Sequence, residues 1–236
     1  MIDQQTIARL ATRYQTSQEN VLREYCQHLF LQSFYSQPQS EFFLFKGGTA
    51  LRIIYRSPRF SQDLDFSGIQ NGKKYEKLLE NILEEINLMN IDSDLIESKA
   101  TSGGWLTILG FSLPENRIEI RNEISFRKKP AEKELSLITS DFIPPYKIFS
   151  LQPEQLVAEK IQALLTRTKP RDIFDLYFIL RKPLLRKHLP REKRKELINL
   201  LKRQKEKTLE KELRSLLPIS FLPIIKNLPE RIIKEL

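Results

Sequence analysis

Ile7, Leu10 and Ala11 recur at helical spacing behind Asp3, a capping residue, and predict a short first helix. Thr16 and Glu19 read as a capping box ahead of Val21, Leu22, Tyr25, Leu29 and Phe30, so a second helix follows and ends before Pro38. From Glu41 the pattern changes. Phe42 to Phe45 is a short apolar run, Gly47-Gly48 a turn, and Ala50, Leu51, Ile53 and Ile54 an apolar-periodic stretch, which together predict strand, glycine turn and helix. Ser61 to Phe66 alternates acidic and apolar residues with period two, the signature of a half-buried strand. Leu78, Leu79, Ile82, Leu83 and Ile86 share one stripe of a helix predicted over Lys73 to Met89. Trp105 to Leu113 and Arg117 to Phe126 then predict two strands joined at Pro114-Glu115-Asn116.

After Pro144-Pro145 the pattern predicts no further strand. Pro153 leads into a helix from Leu156 to Thr166, and Asp172 to Leu180 forms another that ends before Pro183. Basic amphipathic helices punctuated by Pro190, Pro218, Pro223 and Pro229 complete the chain. The expected organisation is α/β: N-terminal helices over 1–40 packing on an α/β core over 41–145, then a basic helical domain over 146–236.

Composition narrows the class. With 40% hydrophobic and 29% charged residues in 236, neither a disordered chain nor a membrane protein fits. One cysteine, Cys26, forms no internal disulfide, and no basic-then-apolar leader or long apolar run is present, so a soluble, cytoplasmic protein is expected. The excess of 39 Lys and Arg over 30 Asp and Glu suits a polyanionic partner such as RNA. Many of these cations interleave with Glu between Arg181 and Lys211, where a solvated helix face explains them as well. The first two helices mimic a helix-turn-helix, but no recognition helix follows, so packing is their expected role.

The sharpest chemical feature is Gly47-Gly48-Thr49 with Asp63 and Asp65 placed 14 and 16 residues beyond the threonine. On a strand, residues i and i+2 face the same way about 6.7 Å apart, so both carboxylates reach a common cation or two neighbouring ones. Magnesium takes a few carboxylates plus substrate phosphate oxygens. Two glycines before a helix let backbone N–H groups and the Thr49 hydroxyl approach a triphosphate. Either motif alone is usually a solvated acidic pair or a plain turn; in strand–turn–helix–strand order they point to one site.

At these residues the chain resembles the nucleotidyltransferase superfamily with the DNA polymerase β-like fold. Phe45-Lys46-Gly47-Gly48-Thr49-Ala50-Leu51 and Arg59-Phe60-Ser61-Gln62-Asp63-Leu64-Asp65-Phe66 resemble more closely the AbiEii/AbiGii toxins of type IV toxin–antitoxin and abortive-infection systems, over about residues 15–180, with the basic tail outside. The resemblance implies a polymerase-β-like core and Mg²⁺-dependent transfer of a nucleoside monophosphate from an NTP to an acceptor. The implied acceptor is the 3′ end of tRNA, and a cognate antitoxin is expected. Metal would be held by Asp63, Asp65 and a third acid. Glu119 and Glu123 are the candidates, sharing a strand face with Arg117, Arg121 and Arg127, and Glu123 fits the family's acidic strand better. A salt-bridged strand face is the plainer alternative.

Gly47, Gly48, Thr49, Ser61 and Lys160 would meet the nucleotide phosphates by the same resemblance. Gly48 stands where many superfamily members have Ser, which leaves the hydroxyl to Thr49. Helical spacing sets Lys160 and Arg167 on one face, opposite Val157, Ile161 and Leu164. The resemblance implies that Lys160 and an Asp of the Arg171-Asp172 segment are functional: Asp172, the catalytic candidate ahead of Asp175, would position Lys160 or the acceptor, and a helix cap or salt bridge is the plainer alternative for either. His28 and His188 have no ligand-spaced partners, so zinc is not expected. Cys26 and Trp105 read as core, with base stacking the alternative for the tryptophan. Transfer onto a protein or a small molecule such as an antibiotic, or a non-catalytic nucleotide- or RNA-binding module, are the other readings; retention of both Asp63 and Asp65 argues for catalysis.

Overall fold

A computed structural model describes residues 2–68, 72–126 and 132–236, so Arg127 lies outside the described residues. The chain divides into two compact units, Met1–Arg56 with Phe60–Leu151, and Ser57–Arg59 with Gln152–Leu236.

The first unit contains helices α1 (Gln4–Tyr14), α2 (Gln18–Ser36), α3 (Gly47–Ile53) and α4 (Gly72–Leu88). Its strands are β1 (Phe43–Lys46), β2 (Leu64–Gly68), β3 (Asp92–Thr101), β4 (Gly104–Leu113), β5 (Asn116–Phe126), β6 (Lys133–Ile138) and β7 (Tyr146–Leu151). Among the described residues these strands make one seven-stranded mixed sheet in the order β3-β4-β5-β2-β1-β7-β6. The β2–β5 and β1–β7 pairs are parallel and the others antiparallel.

Local chemistry starts the helices. The Asp3 carboxylate accepts from the Thr6 amide at 2.7 Å. For α2 the cap is Ser17 rather than the expected Thr16: its hydroxyl accepts from the Asn20 amide at 3.2 Å, while the Thr16 hydroxyl is taken by the Asn20 side chain at 2.8 Å. Helices α2 and α4 cover one face of the sheet. Phe34 of α2 meets Phe66 of β2 at 5.1 Å between ring centroids, and Tyr75 of α4 stands 5.5 Å from Phe43 of β1. Each such buried ring is worth about 1.5–3 kcal/mol. Because Leu64 and Phe66 are buried on this face, alternation turns Asp65 to the other.

Helix α2 is buried on nearly every side and holds polar groups as matched pairs. Glu24 meets Arg52 at 3.0 Å, and that guanidinium lies 4.0 Å from the Phe60 ring centroid. His28 Nδ1 and the Tyr146 hydroxyl are 2.7 Å apart, and burial pushes the imidazole down to about 3, so it stays neutral. Cys26 is buried, which raises its thiol to about 12 and makes it inert packing, as expected.

Strands β3, β6 and β7 were not expected. Strand β3 is mostly exposed, so its sequence lacks the alternation that marks a half-buried strand. Strand β7 follows Pro144-Pro145 directly, with Tyr146 and Ile148 buried and Lys147 exposed.

The second unit is helical: α5 (Pro153–Arg167), α6 (Pro170–Arg181), α7 (Pro183–Arg186), α8 (Arg194–Leu201), α9 (Glu206–Leu213) and α10 (Leu228–Glu235). A proline in the first turn opens α5, α6, α7 and α10, where a missing N–H costs no helical hydrogen bond. Helix α6 is buried from Ile173 to Leu180, and α5, α9 and α10 pack around it. Among the described residues no helix is long and apolar enough to cross a membrane.

Candidate active site

Three side chains of the first unit stand in one row. Lys46 is the register partner of Asp65 across the β1–β2 pair, and Asp65 that of Glu123 across β2–β5. Neighbouring strands lie about 4.8 Å apart, and register partners face the same way, so the row shares the sheet face opposite Phe45, Phe66 and Ile124. Glu119 instead pairs with Gly110 of β4, four residues and about 13 Å along β5 from Glu123. The fold therefore sets Glu123 beside Asp65 and leaves Glu119 apart. Glu123 is half-exposed and accepts from Arg121 Nε at 2.7 Å. Lys46 is largely buried, and its ammonium donates to Ser125 Oγ at 3.3 Å, one step along the same face.

Gly47 opens the space beside Asp65. Its φ of +82° lies in the left-handed region, and a Cβ there would stand 2.0 Å from Asp65 Oδ2. The glycine thus serves the carboxylate directly, a role that the turn motif alone did not reveal. Gly48 is buried in the first turn of α3.

The segment entering β2 is fastened from two sides. Gln27 of α2 donates to the carbonyls of Ser61 at 2.9 Å and Gln62 at 3.1 Å. The Thr49 hydroxyl donates to the Asp63 carbonyl, and Thr49 is fully buried. This corrects the expectation that Thr49 turns its hydroxyl to a phosphate: the nearest acceptor is backbone, and the bond fixes where Asp63 sits. Asp63 immediately precedes β2 and is half-buried, so the strand starts later than the alternation predicted.

The sequence candidates of the second unit form buried ion pairs within it. Asp175 accepts from Lys160 Nζ at 2.7 Å and from Arg59 at 2.9 and 3.1 Å. Burial raises its carboxyl, but Arg59 and then Lys160 outweigh that and hold it down to about 2. Asp172 is buried and takes both forks of Arg167, each at 2.8 Å. Asp175, not the favoured Asp172, holds Lys160. The lysine also lies on the core side of α5 with Leu156, Val157, Ile161 and Leu164, not on the opposite face. Positions 157, 160, 161 and 164 make an ordinary helical stripe, so the charge is buried with its apolar neighbours and needs a partner there.

Arg59, Gln27, Lys46, Arg121 and Ser125 carry weight that sequence reading did not assign. Arg59 and Lys46 sit inside the quoted motifs, but nothing in the spacing announces a partner 116 positions away, as for Arg59 and Asp175. Trp105 packs against the core and donates from Nε1 to Ser98 Oγ at 2.8 Å.

Among the described residues no three His, Cys, Asp or Glu side chains already form a metal-ready group. The row offers two carboxylates, Asp65 and Glu123, with Asp63 two residues away. That donor set fits a magnesium ion, which completes its shell with water and substrate phosphate rather than an all-protein cage.

The profile described as nucleotidyl transferase AbiEii toxin, type IV TA system, matches residues 29–232. This extends the resemblance through the basic C-terminal helices, which the motifs had left outside it. Among solved structures, MenT4, a nucleotidyltransferase toxin from Mycobacterium tuberculosis H37Rv, is 17% identical with a TM-score of 0.67, over 100% of this chain and 88% of that one. JHP933 from Helicobacter pylori is 22% identical with a TM-score of 0.62, over 93% of this chain and 94% of that one. No curated protein sequence matches. The structural likenesses establish the fold, a nucleotidyltransferase α/β core, and the family implies an NTP substrate and a cognate antitoxin. The profile match over most of its length shows that this chain belongs to the AbiEii family of nucleotidyltransferase toxins of type IV toxin–antitoxin systems.

Proposed function

We propose that the protein transfers a nucleoside monophosphate from an NTP to the 3′ end of tRNA in the cytoplasm, with Mg²⁺, as the toxin of an abortive-infection system. The observation that carries the site assignment is the register row Lys46–Asp65–Glu123 beside a glycine whose missing Cβ makes room for the Asp65 carboxylate.

In this reading Asp63, Asp65 and Glu123 hold the metal, and the backbone of Gly47 and Gly48, with Ser61, meets phosphate. A metal ion held there would supply positive charge to offset that of the transferring phosphoryl group. Glu123, oriented by Arg121, takes the proton of the acceptor hydroxyl. The hydroxyl oxygen bonds to the α-phosphorus, the bond to the bridging oxygen breaks, and pyrophosphate leaves. Lys46 adds a positive charge beside the carboxylates and, through Ser125, ties β1 to β5. Gln27 and Thr49 act as positioning residues for the segment that carries Asp63. Lys160 and Asp172 enter as members of the ion pairs that order their own unit.

Purified protein incubated with Mg²⁺, total tRNA and each of the four α-labelled nucleoside triphosphates tests the proposal, with Asp65→Ala in parallel. Label on tRNA with the wild type alone is the expected result and names the base. No transfer with any of the four rules out tRNA as the acceptor.

A further inference from the structure

The positive charge of this chain is concentrated in one stretch. Arg181 to Arg214 holds 14 Lys and Arg against 5 Asp and Glu, while the other 202 residues hold 25 of each. The whole formal charge of +9 therefore belongs to 34 residues of the second unit, in α7, α8, α9 and their connections.

Ion pairs absorb part of it. Lys193 meets Glu196 at 3.1 Å, Arg214 meets Glu210 at 2.8 Å, and Arg181 meets Glu235 at 2.6 Å. Lys187, Arg191 and Arg194 are exposed and, among the described residues, have no acidic partner within ion-pair distance. With Arg186 they line a cleft of about 570 Å³, which Leu189 and Pro190 also line. Among the described residues Glu235 is the acidic side chain at this cleft, and it is already engaged, its carboxylate by Arg181 and its carbonyl by Arg186 at 3.0 Å. Four cations around one cleft repel one another, a cost that an anionic occupant relieves.

We propose that this cleft, with the exposed Arg194 and Lys195 of α8 and Lys202, Arg203 and Lys205 beyond it, is a docking surface for the phosphate backbone of a nucleic acid. A single phosphate would leave most of the charge unmatched, because the excess continues from the cleft through α8 to Lys202, Arg203 and Lys205. A duplex presents one negative charge about every 1.7 Å of its axis, a continuous line that such a track matches. Arginine forks grip phosphate oxygens in pairs, and three of the four cleft cations are arginines. The inference goes beyond nucleotidyl transfer, since docking of this kind needs neither NTP nor metal.

Fluorescence anisotropy of the full chain with a labelled RNA duplex, the single-stranded RNA and the DNA duplex of the same sequence, without NTP, tests it across a range of salt. Binding should weaken linearly in log–log form, with a slope of about −3.6 or steeper for four or more duplex phosphates. The exposed-site variant Lys187→Gln/Arg191→Gln/Arg194→Gln should lose at least about tenfold in affinity and flatten the duplex slope by about 2.7. Tighter binding of RNA identifies RNA as the source of the backbone; equal binding of the two duplexes identifies the backbone alone. Wild-type affinity and slope in the triple variant would overturn the proposal. So would displacement of the RNA by poly-glutamate at equal charge concentration, which would assign the surface to an acidic protein. Binding without transfer would count against the transferase reading and leave this one standing.

Discussion

In the first unit Asp65 and Glu123 stand partly exposed on β2 and β5, side by side on one sheet face, with the largely buried Lys46 completing the row. In the second, Asp175 is fully buried between Arg59 and Lys160, and Asp172 is closed off by Arg167. Both regions pair carboxylates with cations, yet their chemistry differs. A buried carboxylate with two cations at hydrogen-bond distance has its lone pairs committed, and removing either side leaves an uncompensated charge. A partly exposed carboxylate that faces another carboxylate across a strand boundary is instead reachable by an incoming ion, and a cation between the two relieves their like-charge repulsion. Acid–base pairing alone therefore does not mark a catalytic group.

Substitutions break the comparison from either side. Asp65→Ala should lower nucleotidyl transfer on the order of 10³-fold, measured with α-labelled NTP, while thermal unfolding stays close to wild type. Asp175→Ala should do the reverse. It strands Arg59 and Lys160 in the interior, and urea unfolding should show a loss of about 3–5 kcal/mol. Gly47→Ala sharpens the link between turn and site. A Cβ 2.0 Å from Asp65 Oδ2 must displace that carboxylate, so transfer should fall about 100-fold.

The pH dependence gives a smaller, signed effect. Folded His28 is held near 3 by burial, while the unfolded chain takes up a proton near 6.5. The unfolded state binds more protons in between, so stability falls as pH drops through that window, by at most about 1.4 kcal/mol per pH unit. His28→Gln should flatten the slope in urea titrations between pH 6 and 4 (roughly the span bounded by those two values). Asp175 acts lower: its contribution is present above 3.8 and is lost as pH falls toward about 2. The smallest effect belongs to Glu119→Ala, which should leave transfer within about twofold of wild type, because Glu119 lies away from the row.

The segment from Phe42 to Phe66 was legible because β1 is an apolar run buried at every position, a glycine pair marks the turn into α3, and Leu64 and Phe66 alternate with Asp65; β5 was legible by its alternation of buried and exposed residues. Strand β3 escaped because polar residues cover both its sides, and β7 because two prolines immediately before it read as the end of the sheet. Of the site, Asp63, Asp65 and the glycines announced themselves by spacing. The row did not, because register between β1, β2 and β5 is a long-range property: Lys46 and Ser125 lie 79 positions apart. Lys160 departs from the expected face because the spacing to Arg167 groups it with a partly exposed residue, whereas positions 157, 160, 161 and 164 share the buried stripe, where Asp175 pairs with it.

The most direct test of the central claim is titration of Mn²⁺, as a paramagnetic substitute for Mg²⁺, into the protein with a non-hydrolysable NTP analogue, followed by electron paramagnetic resonance. The wild type and Asp175→Asn, assayed where both remain folded, should bind the ion alike, and Asp65→Ala should lose at least about tenfold in affinity. Undiminished binding by Asp65→Ala, or loss in folded Asp175→Asn alone, would contradict the assignment of the metal to the row on β2 and β5.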